Sequence, residues 1–139
     1  MNPFKLDPRL DADTLPVLSL ALCDLRLMND RRWPWLILVP RIADASEVHD
    51  LSESKQMMLA KETALAAACL KRLTRCEKIN SAAIGNIVRQ LHVHVIARTS
   101  GDANWPGPVW GFGAREAYES GAAQAFIETL RGALSLKIL

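Results

Sequence analysis

The chain has 139 residues, of which 50% are hydrophobic and 23% are charged, and its formal net charge is +2. This length and apolar content suit a single domain, residues 1–139, with one hydrophobic core. The small net charge argues against nucleic acid as a partner, because nucleic-acid-binding domains present a strongly basic surface.

The first part of the chain predicts a short helix and then a hairpin. Residues 5–14 form a short helical lead-in. Residues 15–28 (LPVLSLALCDLRLM) are apolar with partial alternation, which indicates a strand, and a polar turn at residues 29–32 follows. The run WLILV at Trp35–Val39 is continuously apolar and stops at Pro40, as in a strand that is buried on both faces. The short connection favours antiparallel pairing of the two strands.

A long helix begins after Asp50 or Ser52, either of which can cap it, and continues to Cys76 with apolar residues at helical spacing. Four further segments follow: a strand at residues 79–88, a strand at 91–97 with Gly85 and Asn86 before it, a Gly/Pro-rich loop at 99–113 and a helix at 114–134. The order hairpin, helix, hairpin, helix predicts an α+β domain: one antiparallel β-sheet with the long helix and the C-terminal helix packed on one face.

Cysteine usage and hydropathy suggest a location for the protein. Cys23, Cys69 and Cys76 contain no C-x-x-C pair, so we expect buried thiols and not a disulfide or a zinc site. The N-terminal stretch MNPFKLDPRLDADTL lacks the apolar core of a signal peptide. No apolar run approaches the length that spans a membrane. We therefore expect a soluble cytoplasmic protein with no membrane partner.

The stretch RQLHVHVIAR, residues 89–98, alternates strictly between polar and apolar side chains. Side chains on a strand alternate between its faces, so Gln90, His92 and His94 should share one face. The apolar residues between them then face the helices, and the polar row lies on the open face of the sheet. Imidazole is a suitable nucleophile or general base near neutral pH, and a polar neighbour can fix its tautomer.

Two other interpretations of an isolated H-x-H motif have to be weighed. Two half-exposed strand histidines without a role would be the default for such a pair. A catalytic zinc site usually takes three protein ligands, and His49 is the only other histidine in the chain. We therefore expect no metal.

The stretch QLHVHVIAR resembles the signature of the histidine triad (HIT) superfamily, H-φ-H-φ-H-φ-φ, in which φ is apolar. Gln90, His92 and His94 fall on the three triad positions. Gly85-Asn86 stands where the family has Gly-Gln, WLILVPR resembles the strand before the long helix, and Trp105-Pro106 resembles a Trp-Pro that follows the triad in some members. The resemblance covers roughly residues 15–110.

The resemblance implies a HIT-like fold and attack on the α-phosphate of a nucleotide ester, amide or anhydride through a covalent nucleotidyl-histidine. His92 would be the nucleophile, with His94 and Gln90 as the other catalytic residues. The implied substrate-binding residues are Asn29, Asn80, Gly85 and Asn86. The implied enzyme is a phosphoramidase or a dinucleoside polyphosphate hydrolase that uses no cofactor. Family members commonly form homodimers, and we expect one here, since the helix at Met57–Leu73 could carry a second apolar face.

Gln90 departs from the family, which normally has histidine in the first position. Glutamine can donate and accept hydrogen bonds but cannot titrate. A second hypothesis is therefore a nucleotide-binding module with little or no catalysis. Arg26 could meet a phosphate or lie at the sheet edge, and Trp105 and Trp110 could border the pocket or only pack within their loop.

Overall fold

One antiparallel sheet forms the centre of the computed structural model, which describes residues 3–138. In that part of the chain the strands are β1 (Thr14–Ser19), β2 (Cys23–Met28), β3 (Trp35–Pro40), β4 (Lys78–Ala82) and β5 (Val93–Arg98). Their spatial order is β1-β2-β3-β5-β4, and every neighbouring pair is antiparallel. The α+β fold with an antiparallel sheet is thus confirmed.

The helices are α1 (Pro8–Asp13), α2 (Glu53–Thr74) and α3 (Ala122–Ile138), and a short 3-10 turn at Val48–Asp50 precedes α2. Ser52 is the N-cap of α2, because its hydroxyl accepts a hydrogen bond from the backbone N–H of Lys55. Arg75 ends α2 in the left-handed conformation, with φ of 56°. The expected helical lead-in corresponds to α1. No helix within residues 3–138 combines the length and the apolar character needed to cross a membrane.

Both long helices pack on one face of the sheet, as predicted. Leu59, Ala66 and Leu70 of α2 are buried there together with Leu130 and Leu134 of α3. The apolar residues of β5 between the polar ones contribute Val93, Val95 and Ala97 to the same cluster. The three cysteines are buried thiols that form no disulfide, which was also expected.

The opposite face of the sheet carries a second core, so the prediction of an open face is wrong. Trp35, Ile37 and Ile96 are buried on this face beneath Leu10 and Val109. The cover comes from the chain before β1 and from the loop after β5. His92 and His94 are each only 5% exposed to solvent. Both histidines are therefore buried, and His92 lines a cavity.

Two predicted elements have different boundaries because buried contacts override the local pattern. Residues 15–28 form two strands and not one, since the chain turns between Ser19 and Cys23. The Glu62 carboxylate of α2 accepts hydrogen bonds from the backbone N–H groups of Leu22 (2.9 Å) and Cys23 (2.8 Å), which holds this turn. A partly apolar alternation alone did not reveal the turn.

The second half of the chain also differs from the prediction. The strand expected at 79–88 ends at Ala82 and the strand expected at 91–97 begins at Val93, so residues 83–92 form a ten-residue connection. The helix expected from residue 114 begins only at Ala122, after Gly121 with φ of 88°. Residues 114–120 instead run across the surface, where the guanidinium of Arg115 lies 2.9 Å from the carboxylate of Asp13.

Candidate active site

A cavity of about 340 Å³ opens beside the start of β5. The connection between β4 and β5 forms most of its wall, and the segment after β3 contributes Ser46 and Glu47. Among the residues expected at the site, those that line it are Gly85, Asn86, Gln90 and His92. The cavity is therefore built largely from the ten residues that separate two neighbouring antiparallel strands.

The His92 ring is fixed by a main-chain contact. Its Nδ1 atom lies 2.6 Å from the carbonyl oxygen of Gln90. A carbonyl oxygen can only accept a hydrogen bond, so Nδ1 carries the proton and donates it. The other ring nitrogen, Nε2, then holds a lone pair. A neutral imidazole in this tautomer presents a nucleophilic nitrogen without prior loss of a proton.

His94 stands behind His92 and has the opposite tautomer. The indole Nε1–H of Trp35 donates to His94 Nδ1 over 3.0 Å, which leaves the proton of the neutral ring on Nε2. The two histidine rings meet edge to face, with centroids 4.9 Å apart. Burial above all, and then the neighbouring His92, lowers the pKa of His94 to about 4, while the backbone of Ile84 opposes the shift. His94 is therefore uncharged at neutral pH.

His94 Nε2 is buried and makes no hydrogen bond of standard length and angle among the described residues, although the backbone of Ile84 interacts with this ring. The indole Nε1 of Trp110 is also buried and makes no such hydrogen bond in this part of the chain, and its ring lies edge to face with that of His94 at 5.4 Å. A buried donor without an acceptor is unusual and costs free energy, so such groups often serve a ligand. The ring of His94 lies against that of His92, and the ring of Trp110 lies against that of His94.

The side chain of Gln90 reaches the N-terminal segment, which packs on the face of the sheet that carries the histidines. Gln90 and His92 precede β5, which begins at Val93, so strand alternation does not govern their directions. The Gln90 amide instead binds the N-terminal segment: its Oε1 accepts from the N–H of Asp7 and its Nε2 donates to the carbonyl of Lys5, both at 2.8 Å. The Gln90 amide therefore lies on the same side of the sheet as the histidines, but it is bound to the N-terminal segment and not to an imidazole.

The turn at Gly85 shapes the wall of the cavity. A Cβ atom at this position would lie 2.9 Å from the carbonyl oxygen of Val88, so a larger residue would force the turn open. Asn86 and Arg89 are exposed at the rim. Within the described part of the chain, Arg89 has no hydrogen bond or ion pair, and its charge remains available to an anion.

Two of the expected substrate-binding residues are used elsewhere in the fold. The Asn80 amide oxygen accepts from the guanidinium of Arg98 at 3.2 Å, and Arg98 is also paired with Asp102. The Asn29 amide oxygen accepts from the backbone N–H of Tyr118 at 3.0 Å. Neither asparagine lines the cavity. Their proposed contacts with a substrate gain no support from this geometry.

Arg26 and Trp105, which could have bordered the site, contact other parts of the fold. The guanidinium of Arg26 lies on the histidine face of the sheet but binds Thr14 and Asp11, so it serves the fold. The guanidinium of Arg98 lies over the indole ring of Trp105, 5.7 Å from the ring centroid. Among residues 3–138, no cluster of three or more histidine, cysteine or carboxylate side chains could hold a metal ion.

Sequence reasoning missed three contributors to the site. Trp35 was expected only as the first residue of a buried strand, although its indole sets the tautomer of His94. Arg89 stood in the quoted motif without a role. The N-terminal segment had no detectable signal, because it binds Gln90 through backbone atoms, which any residue type can provide.

Comparisons with known proteins agree with the fold and the motif. The model of the HIT domain matches residues 9–101. The structure of a histidine triad protein from Sinorhizobium meliloti 1021 is 57% identical and covers 94% of this chain and 96% of its own, with a TM-score of 0.92. A histidine triad protein from Bradyrhizobium japonicum is 44% identical over 96% of this chain and 99% of its own, with a TM-score of 0.93.

A third structure, a histidine triad protein from Marinobacter aquaeolei VT8, is 39% identical over 97% of this chain and 98% of its own, with a TM-score of 0.94. No curated protein matches the chain in sequence. The family model spans more than half of the chain, and the related structures cover nearly all of it. The chain therefore belongs to the HIT domain family.

Proposed function

We propose that this protein is a nucleotide hydrolase or nucleotidyl transferase in which His92 attacks the α-phosphate of a nucleotide ester, amide or anhydride. Membership of the HIT family supports nucleotide chemistry in general. The observation that carries the specific proposal is the hydrogen bond of 2.6 Å from His92 Nδ1 to the carbonyl of Gln90. In the neutral ring this bond places the proton on Nδ1 and leaves the lone pair on Nε2, as a nucleophile requires.

The reaction takes place in two displacements at phosphorus. His92 Nε2 forms a bond to the α-phosphorus, and the bond from phosphorus to the leaving oxygen or nitrogen breaks, with its electron pair taken by the leaving group. The imidazole ring gains positive charge in this step, and the Gln90 carbonyl stabilises the Nδ1–H that shares this charge. A water or another acceptor then attacks phosphorus and releases His92.

Donors around the cavity are suited to the charge of a phosphate. His94 holds a proton on Nε2, and its ring lies against the His92 ring. Asn86 adds an amide donor at the rim, and Arg89 adds a full positive charge. Donors that are fixed in place before the reaction stabilise developing negative charge without rearrangement. This set favours an anionic substrate, and both phosphoramidates and dinucleoside polyphosphates fit that description.

Turnover of a substrate panel tests the proposal. The purified protein and its His92→Ala variant are incubated with adenosine phosphoramidate and with dinucleoside polyphosphates of different lengths, and release of nucleoside monophosphate is measured. We expect turnover of at least one substrate by the wild type. In His92→Ala, turnover should fall by on the order of 10³-fold or more, because the nucleophile is removed. Ser46→Ala is the control, because Ser46 also lines the cavity and has no role in the proposed reaction.

The same experiment separates catalysis from binding. Equal turnover by the wild type and His92→Ala would contradict the proposal. Nucleotide binding by calorimetry without turnover of any substrate would favour the binding module that Gln90 suggested. A trapped adduct supports the covalent step directly: mass spectrometry of the wild type quenched in base, where the bond between phosphorus and the histidine nitrogen is stable, should find one added nucleotidyl group on the peptide that contains His92.

A further inference from the structure

We propose that Gln90 is a positioning residue, and that its side chain and the N-terminal segment at Phe4–Asp7 form a clasp that holds His92 in its reactive tautomer. The inference rests on the proposed function in one respect, since it assigns His92 as the nucleophile. It gives the glutamine in the first triad position a defined task. Gln90 then has a function in the site and does not simply mark the loss of a histidine.

The clasp uses both the acceptor oxygen and the donor nitrogen of the Gln90 carboxamide. Gln90 Oε1 accepts from the N–H of Asp7 and Nε2 donates to the carbonyl of Lys5, each at 2.8 Å. In an extended chain, the carbonyl of one residue and the N–H of the second residue after it point to the same side. The amide thus pairs with the backbone of Lys5–Asp7 much as a neighbouring strand would.

Other side chains cannot make this pair of bonds. The two ring nitrogens of histidine point in divergent directions, so one imidazole cannot reach the Lys5 carbonyl and the Asp7 N–H together. A glutamate accepts two hydrogen bonds but donates none when ionised, and its second oxygen would face the carbonyl of Lys5. The geometry therefore selects glutamine, which explains in physical terms why this position departs from the family's histidine.

The segment that Gln90 binds is itself anchored on the face of the sheet that carries the histidines. Phe4 and Leu6 pack against the second core beside Leu10 of α1. The Asp7 carboxylate accepts from the N–H of Arg9 at 2.8 Å and so caps α1. Displacement of the segment would expose apolar surface, which gives it a stable resting position.

The clasp acts on His92 through the main chain. The carbonyl oxygen that orients His92 Nδ1 belongs to Gln90, the residue whose side chain is clasped. On the next residue, the N–H of Leu91 donates to the carbonyl of Ala45 at 2.9 Å. The peptide groups before His92 are thus held from two directions. Loss of the clasp frees one of them, and the Gln90 carbonyl can then turn away from the imidazole.

A substitution at Asp7 tests the clasp with little change to the backbone. Asp7 has a φ of −57°, which proline adopts readily, so Asp7→Pro deletes the N–H donor without forcing a new conformation. It also deletes the carboxylate that caps α1. The matched variant Asp7→Ala deletes the carboxylate but keeps the N–H, so the difference between the two variants isolates the clasp. Gln90→Glu is an independent, nearly isosteric test that leaves residues 3–9 intact.

Two measurements are made on the full chain. Steady-state kinetics separates kcat from KM with the best substrate of the panel, and ¹⁵N NMR of the histidine rings reports the tautomer of His92. Asp7→Pro relative to Asp7→Ala should lower kcat by on the order of tenfold with KM changed by less than about twofold. Gln90→Glu relative to the wild type should lower kcat by a similar factor, and its added charge in the cavity should also raise KM for an anionic substrate. The Nδ1-protonated form of His92 should give way to a mixture of tautomers.

The results distinguish this inference from the proposed function. A wild type that turns over substrate, together with unchanged kcat and an unchanged His92 tautomer in Asp7→Pro and Gln90→Glu, would overturn the clasp and leave the function standing. A wild type without turnover would overturn the function, and the ring-nitrogen shifts would still decide the clasp. If Asp7→Pro does not fold, Gln90→Glu carries the test, because its N-terminal backbone is unaltered.

Discussion

At the level of single residues, His94 links the chemistry of the site to the stability of the protein. The indole of Trp35 donates to its Nδ1, and burial lowers its pKa to about 4 from the ordinary 6.5. Below pH 6.5 the unfolded chain takes up a proton at this histidine, whereas the folded protein does so only near pH 4. The free energy of unfolding is therefore not reduced by His94 above pH 6.5, and it decreases as the pH falls from 6.5 to about 4.

We expect the free energy of unfolding to fall by at most about 3 kcal/mol between pH 6.5 and 4 on account of His94. His94→Asn should remove this dependence, because the Asn oxygen can still accept from Trp35 but does not titrate. Urea unfolding of both proteins at several pH values measures it. An equally steep loss of stability in His94→Asn would assign the effect to other groups.

Sequence patterns predicted the residues of the site better than their partners. Alternation and the resemblance drew attention to His92 and His94, and both are found together beside the cavity. The hydrogen bond that orients His92 comes from the main chain of Gln90, and a main-chain acceptor leaves no trace in residue identity. Asn29 and Asn80 are the opposite case. Their residue type suggested contacts with a substrate, but their side chains accept hydrogen bonds from Tyr118 and Arg98 within the fold.

At the level of elements, a carboxylate from α2 secures the turn between β1 and β2. Glu62 is 8% exposed, and its two oxygens accept from the backbone N–H groups of Leu22 and Cys23. Burial and the Glu62 carboxylate also raise the pKa of the Cys23 thiol, which keeps it protonated. One side chain thus connects the long helix to the edge of the sheet.

Replacement of Glu62 by alanine should lower the free energy of unfolding by about 3 kcal/mol, because two buried N–H groups would lose their acceptors. Glu62→Gln should cost less, since it keeps one acceptor oxygen. The exposed Glu128 of α3 offers a control, and Glu128→Ala should change stability by less than about 0.5 kcal/mol. Urea unfolding curves of the three variants test this order, and equal stability of Glu62→Ala and Glu128→Ala would contradict it.

Element boundaries were predictable where the chain itself supplies a stop signal. Pro40 ends β3 and Ser52 caps α2, and both positions were expected. The end of β4 at Ala82 and the late start of α3 depend on tertiary contacts and on Gly121 with its positive φ. Residues 83–92 have an apolar pattern that suits a strand, but they leave the sheet and form the wall of the cavity.

At the level of the whole molecule, the second core explains why the histidines are buried. The composition indicated one core, and helices were expected on only one face of the sheet. The other face is covered mainly by irregular chain, which contributes Phe4, Leu6, Val109 and Trp110, together with Leu10 of the short helix α1. Loops carry no periodicity, so hydrophobic patterns do not show which face they cover. The covered face is also the one that the proposed clasp stabilises.

The last prediction concerns a homodimer. A groove of about 500 Å³, lined mainly by small and apolar residues, runs between α2 and β4, and it includes Ala60, Ala64 and Ala67. β4 is an edge strand, so its outer backbone groups are available to pair with another strand. Small side chains let a second helix or strand approach closely. We therefore expect two copies of the chain to associate through this groove.

Light scattering at micromolar concentration should give the mass of two chains for the wild type. A charge in the groove should separate them, because a buried glutamate without a partner is costly; Ala64→Glu should therefore give the mass of one chain. Ala68 is equally exposed on α2 but does not line the groove, so Ala68→Glu should remain dimeric. A single-chain mass for the wild type would contradict the dimer, and a dimeric Ala64→Glu would place its interface on another surface.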